Sequence, residues 1–161
     1  MVVGSVMTND EPQLPAGIEL RRWVRMRRRL DAPPDRVYRV WTDPEELARW
    51  LPERVEGGLA VGSRSVVVWS DRRVWWDVTD AHPNRTFEFR WPGLSDEELV
   101  TGVRVTIDPA GYGSRLELED GPFAMDAPGA VDAWAKAIEV WTDALAKLRA
   151  HLDFSVDLRP R

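Results

Sequence analysis

The sequence predicts an α+β domain: an antiparallel meander of about seven strands crossed by one long C-terminal helix. Three observations carry that prediction. Short segments with period-two alternation fill residues 64–120, two proline-opened amphipathic helices stand within residues 32–51, and an apolar stripe with helical spacing runs from Pro128 to Leu152. Alternation at period two marks a half-buried strand, whereas spacings of three and four mark one face of a helix.

Composition narrows the field before any motif is read. A chain of 161 residues is one domain of ordinary size that can bury a real core. Its net charge of −5 disfavours wholesale nucleic-acid binding. With no cysteine, there is no disulfide framework, thiol chemistry or thiolate metal site, and two histidines cannot build a multi-histidine metal centre. No metal and no cofactor is therefore expected. No apolar run reaches membrane-spanning length, and Met1–Met7 lacks the basic flank and apolar core of a signal peptide. These features predict a cytoplasmic protein, and the Arg, Ala, Pro and Trp content suggests a GC-rich bacterial source.

Taken in order, residues 1–17 (MVVGSVMTNDEPQLPAG) show little periodicity and read as a flexible arm. The first strand, Ile18–Leu30, is crowded with arginine. Parity sets Trp23, Arg25, Arg27 and Arg29 outward and Val24, Met26, Arg28 and Leu30 inward. An inward Arg28 is either a strand-end side chain that snorkels to solvent or a polar contact inside a pocket. Ala32–Trp41 forms a short helix burying Val37, Val40 and Trp41. A second follows, with Asp43 as cap, Pro44 at the first position and Glu46 completing a capping-box pattern; Leu47, Trp50 and Leu51 form its buried stripe.

Gly57, Gly58 and Gly62 mark a turn between strands and match no phosphate-binding pattern. Strand runs then recur at Arg64–Asp71, Val74–Ala81, Arg85–Trp91, Leu99–Asp108 and Gly113–Asp120. Asp126 is the expected cap of the long helix. Its apolar residues are Trp134, Ile138, Trp141, Leu145, Leu148 and Leu152, and residues 153–161 read as a loose tail after the 18–152 domain.

The motifs resemble a known superfamily. Ala32-Pro33-Pro34-Asp35-Arg36-Val37-Tyr38 is similar to the helix opening of the SRPBCC superfamily (START and Bet v 1-like domains). Thr42–Trp50 resembles the second-helix signature of its AHSA1 branch, named after the activator of Hsp90 ATPase. Val61-Gly62-Ser63-Arg64 stands where that branch usually has a Gly-Gly turn, and Phe87–Trp91 and Gly113–Leu116 match its later strands, although Arg73-Val74-Trp75 stands where a glycine is usual. The resemblance implies the helix-grip fold, a curved sheet holding the C-terminal helix, with a ligand cavity between them.

Nine tryptophans are either bulky core or the lining of such a cavity. Parity and helical spacing place Trp76, Phe87, Phe89, Trp91, Val103 and Val105 on the sheet face beneath the helix. Trp41 and Trp50 come from the short helices, and Trp134, Ile138 and Trp141 from the long one. The expected function is binding of a small hydrophobic molecule, aromatic or lipid-like, through these residues. Two alternatives remain open. One is a cyclase- or dehydratase-type enzyme in the same cavity, for which His82, His151, Tyr38 and Asp77 offer few catalytic candidates and no Ser–His–Asp order. The other is a protein-interaction module of the Hsp90-activator type, where the Arg-rich strand and the acidic Ser95–Glu98 loop would serve a partner or a homodimer.

Overall fold

The computed structural model describes residues 20–69, 71–96 and 98–160; the expected arm at 1–17 lies outside them. One curved antiparallel sheet contains β1 (Arg21–Leu30), β2 (Arg54–Glu56), β3 (Arg64–Trp69), β4 (Arg72–His82), β5 (Thr86–Trp91), β6 (Thr101–Ala110) and β7 (Gly113–Ala124). Their spatial order is β1-β7-β6-β5-β4-β3-β2, so six strands meander and the first pairs with the last. Helices α1 (Pro34–Thr42) and α2 (Pro44–Leu47) join β1 to β2, and α3 (Ala130–Phe154) lies against β1 and β7. This is the helix-grip architecture.

Local chemistry fixes the connections. The Asp43 carboxylate caps α2 by accepting from the N–H groups of Glu45 and Glu46 at 2.9 and 3.2 Å. Glu46 does not reach back to complete the box; its carboxylate instead binds Arg36 and Arg49, both at 3.2 Å. The outward arginines of β1 meet carboxylates on β7, Arg25 with Glu119 and Arg27 with Glu117, each at 3.1 Å. At the closing end of that pair, Gly113 leaves room for the β1 exit: a Cβ there would overlap the Leu30 carbonyl oxygen.

Two boundaries differ from expectation. β7 runs past Asp120 to Ala124, because Arg22 and Arg21 pair with Phe123 and Ala124 and hold that segment extended. The helix accordingly starts after Gly129, which turns the chain at φ 77°, and not at Asp126. At its far end α3 continues to Phe154, and the left-handed Ser155 lets the Val156 N–H bond to the Ala150 carbonyl. Arg159 then donates to the carbonyls of Ala48 and Pro52 at 2.6 and 2.7 Å, joining the C-terminal segment to the end of α2.

The buried face of α3 is Ala130, Ala133, Ala137, Trp141, Ala144, Leu145 and Leu148. Its steps of three and four are helical, but four of its positions are alanines, which a search for large apolar residues passes over. Ile138 is displaced about 100° around the axis from Ala137 and is exposed. Trp134 is half-buried and donates to the Trp23 carbonyl at 3.3 Å. The expected stripe therefore holds from Trp141 through Leu148 and is corrected at its start.

Candidate functional site

The alternation that sends Leu116 and Leu118 inward on β7 sends Asp120 inward as well. The same parity on β6 turns Thr101 inward with Val103 and Val105. Asp120 is fully buried and Thr101 nearly so. A carboxylate in an apolar interior must find donors, and three elements supply them. The indole N–H of Trp141 on α3 donates to Asp120 Oδ2 at 2.9 Å, and that of Trp91 on β5 donates to the same oxygen at 3.3 Å. The Thr101 hydroxyl bonds to Oδ1. Burial pushes the Asp120 pKa above its ordinary value, while the hydrogen bonds from Thr101, Trp141 and Trp91 pull it back.

This cluster forms the floor of a narrow cleft at the start of α3. Trp91, Leu94, Leu99 and Phe123 form walls, and Ala133 and Ala137 leave space on the helix side. Its volume is about 10 Å³, enough for the centre of one water-sized sphere. The described residues of the β5–β6 connection, 92–96 and 98–100, make the rim. Arg72 at the start of β4 holds this rim by donating to the Leu94 carbonyl and by pairing with Asp96 at 3.8 Å.

The residues expected around a cavity fall into three groups. Trp91 lines the cleft. Trp41, Trp50, Trp76, Phe87, Phe89, Val103, Val105 and Trp141 are buried in one continuous core. There the rings pack on one another, with Trp76 stacked on Phe89 at 3.8 Å between centroids and Trp41 edge-on to Trp50 at 4.9 Å. The centre of the sheet–helix space is thus filled with aromatic side chains, and the opening lies at one end of it. Trp134 bonds to the Trp23 carbonyl of β1, and Ile138 is exposed. Arg28, half-buried on the inward side of β1, turns its guanidinium to the Arg27 carbonyl at 2.7 Å and is not part of the cleft wall.

Asp120 and Thr101 are the polar groups that sequence reasoning passed over, although strand parity carried two residues further identifies both. The titratable groups singled out from sequence stand elsewhere. His82 pairs with Asp80 at 3.3 Å on the surface, and Asp77 with Arg64 at 2.6 Å on the outer sheet face. Burial raises the pKa of Tyr38 and lowers that of His151, whose Nε2 is buried with no hydrogen-bond partner among the described residues. Among the described residues no group of three or more acidic or histidine side chains is placed to hold a metal. No helix among them is long and apolar enough to cross a membrane.

Sheet, helix pair and gripping helix define a member of the SRPBCC superfamily. Within it, residues 31–153 match the family model of activator of Hsp90 ATPase homolog 1-like proteins, and the chain belongs to that family. Protein MLL2253 from Mesorhizobium loti is 26% identical with a TM-score of 0.73, covering 85% of this chain and all of that one. DynU16, from the dynemicin biosynthetic locus, is 24% identical with a TM-score of 0.73; the match covers 86% of this chain and 49% of DynU16. The Aha1 dimer from Colwellia psychrerythraea shares the fold at 16% identity, with a TM-score of 0.69 over 82% of this chain and 96% of that one. No curated protein matches the chain.

Proposed function

We propose that this protein binds a small, mostly apolar molecule in the cleft between residues 92–95 with Leu99 and the first turns of α3. The observation that carries this reading is the fully buried Asp120 carboxylate beside an opening walled by aromatic and aliphatic side chains. A few polar groups converging in an apolar recess are the usual make-up of a ligand site. A buried carboxylate opposes stability when it serves packing alone. The ligand is compact: a steroid- or lipid-sized molecule would have to displace the packed tryptophans, and even a single ring needs the rim held by Arg72 to give way.

The test is a thermal-shift panel of one- and two-ring aromatics, short fatty acids and sterols on the wild type and on Ala133→Phe, which fills the cleft from the helix side. Binding to the folded state raises the melting temperature by mass action. A compact compound should raise it for the wild type and not for the filled variant. A panel with no active compound, or equal shifts in both proteins, would sink the reading.

The same carboxylate favours a second reading, acid–base chemistry on the bound molecule, because burial raises its pKa above the ordinary carboxylate value. Turnover of a bound compound that Asp120→Asn abolishes without abolishing binding would separate the two.

A further inference from the structure

Thr101 and Asp120 both line the cleft, and of the two only Thr101 keeps any exposure, 4% against 0%. Its side chain lines the opening and its Oγ1 is bonded to Asp120 Oδ1. A hydroxyl has one proton to donate and two lone pairs that accept. An ionised carboxylate only accepts, so with Asp120 ionised the Thr101 proton is committed to Oδ1. What the hydroxyl has left to offer is its lone pairs. The other carboxylate oxygen is already occupied by two indole N–H groups, from Trp141 and Trp91. While it is ionised the carboxylate therefore fixes the direction of the chain, and the walls supply no competing charge: Leu94, Leu99 and Phe123 are apolar, and the other hydroxyl, that of Ser95, belongs to the rim.

We propose that the Thr101 hydroxyl is the hydrogen-bonding contact of the cleft and that it accepts the O–H or N–H of a compact aromatic ligand, such as a phenol. The chain then runs from ligand hydroxyl to Thr101 to Asp120, ending on the carboxylate held by two indoles. This inference rests on the reading of the cleft as a small-molecule site, and it adds the polarity of the ligand that the site selects.

Asp120→Asn gives a signature that packing alone does not produce. Both indole N–H groups still need an acceptor at the position of Oδ2, which orients the amide oxygen toward them. The amide nitrogen then faces Thr101 and donates to its Oγ1, which turns the threonine proton toward the cleft. The site changes from acceptor to donor without a change of shape.

The experiment titrates benzene, phenol and anisole into the full chain and follows the indole N–H resonances of Trp91 and Trp141. Phenol carries a proton to donate; anisole carries an oxygen that only accepts. In the wild type phenol should bind about three- to tenfold more tightly than benzene or anisole, the worth of one net hydrogen bond. In Asp120→Asn the ratio of anisole to phenol affinity should rise by a similar factor. Thr101→Ser should keep the wild-type order, and Thr101→Val should bind all three alike. Equal binding of the three compounds by the wild type, or an unchanged ratio in Asp120→Asn, overturns the inference while leaving the cleft as a binding site. If none of the three moves the indole resonances, the inference falls together with the reading of the cleft.

Discussion

Trp141 Nε1 stands 2.9 Å from Asp120 Oδ2, so an indole in the middle of the C-terminal helix is hydrogen-bonded to a fully buried carboxylate on the last strand. The indole has two duties, packing against Trp91 and Trp41 at 5.1 and 6.2 Å between centroids and satisfying the acid. Phenylalanine retains most of the first and loses the second. Trp141→Phe should therefore cost about 1–3 kcal/mol, and combining it with Asp120→Leu should cost less than the sum of the two single changes. Denaturant unfolding of the double-mutant cycle measures that difference; strict additivity would mean the bond contributes nothing.

Truncation separates the two tryptophans of α3. Trp141→Ala opens a hole in the packed core and should cost about 3–5 kcal/mol. Trp134→Ala, at the half-buried border with β1, should cost about 1–2 kcal/mol. Equal losses in chemical denaturation would show that the first turns of α3 pack more deeply than the structure describes.

Asp120 gives the stability an acid-side signature. Its folded pKa is raised by burial, so the folded state holds the proton more tightly than the unfolded chain. The favourable contribution is complete below the ordinary carboxylate value of about 3.9 and is lost as pH rises through the folded value. Trp91, Thr101 and Trp141, the groups that bond to it from β5, β6 and α3, are all neutral, so no charged partner masks the effect. Asp120→Asn should remove this component, and wild type minus variant stability should fall with rising pH across that window. A flat difference curve from pH 3 to 8 would contradict the assignment.

His151 acts with the opposite sign. Burial lowers its pKa first, and the cations of Arg36 and Arg49 add to this against the attraction of Glu46 and Asp157. Its contribution is present above the unfolded value of about 6.5 and is lost as pH falls through the folded value. His151→Gln should lose less stability than the wild type between pH 7 and 5, read as melting temperature against pH.

Gly113 tests the closure of the sheet. Alanine there would overlap the Leu30 carbonyl oxygen and stand 3.0 Å from the Asp31 Cα, both backbone atoms that side-chain motion cannot clear. Gly113→Ala should cost about 1–3 kcal/mol, whereas Gly58→Ala, with open space around it, should cost little. Urea midpoints for the two variants compare them directly.

The architecture was legible from sequence because strand parity and helix spacing are local signals that packing reinforces. Val37, Val40 and Trp41, or Phe87, Phe89 and Trp91, lie where their spacing sends them. The site was less legible. Asp120 obeys the same parity as Leu118, but its polarity disguises an inward position; only the donors from β5, β6 and α3 make that position tenable, and they are distant in sequence. Ala133 and Ala137 were missed for the converse reason: their function is to be small, and an apolar stripe traced through large residues passes beside them to Trp134 and Ile138. Whether the tryptophans fill the interior or surround a void depends on how far one layer stands from the other, which no periodicity encodes.

The pairing of β1 with β7 also sets an order of events for the newly made chain. Arg25 and Glu119, bonded across that pair, are 94 residues apart, so β1 leaves the ribosome long before its partner exists. Contacts of such separation form late and leave strand edges open to other chains. Six of its ten residues are arginine, and that density of like charge repels a second copy of the same strand. The basic face that later pairs with Glu117 and Glu119 thus serves first as protection during synthesis. Replacing those arginines with neutral residues would therefore reduce the yield of soluble protein more than it would lower the stability of the finished fold.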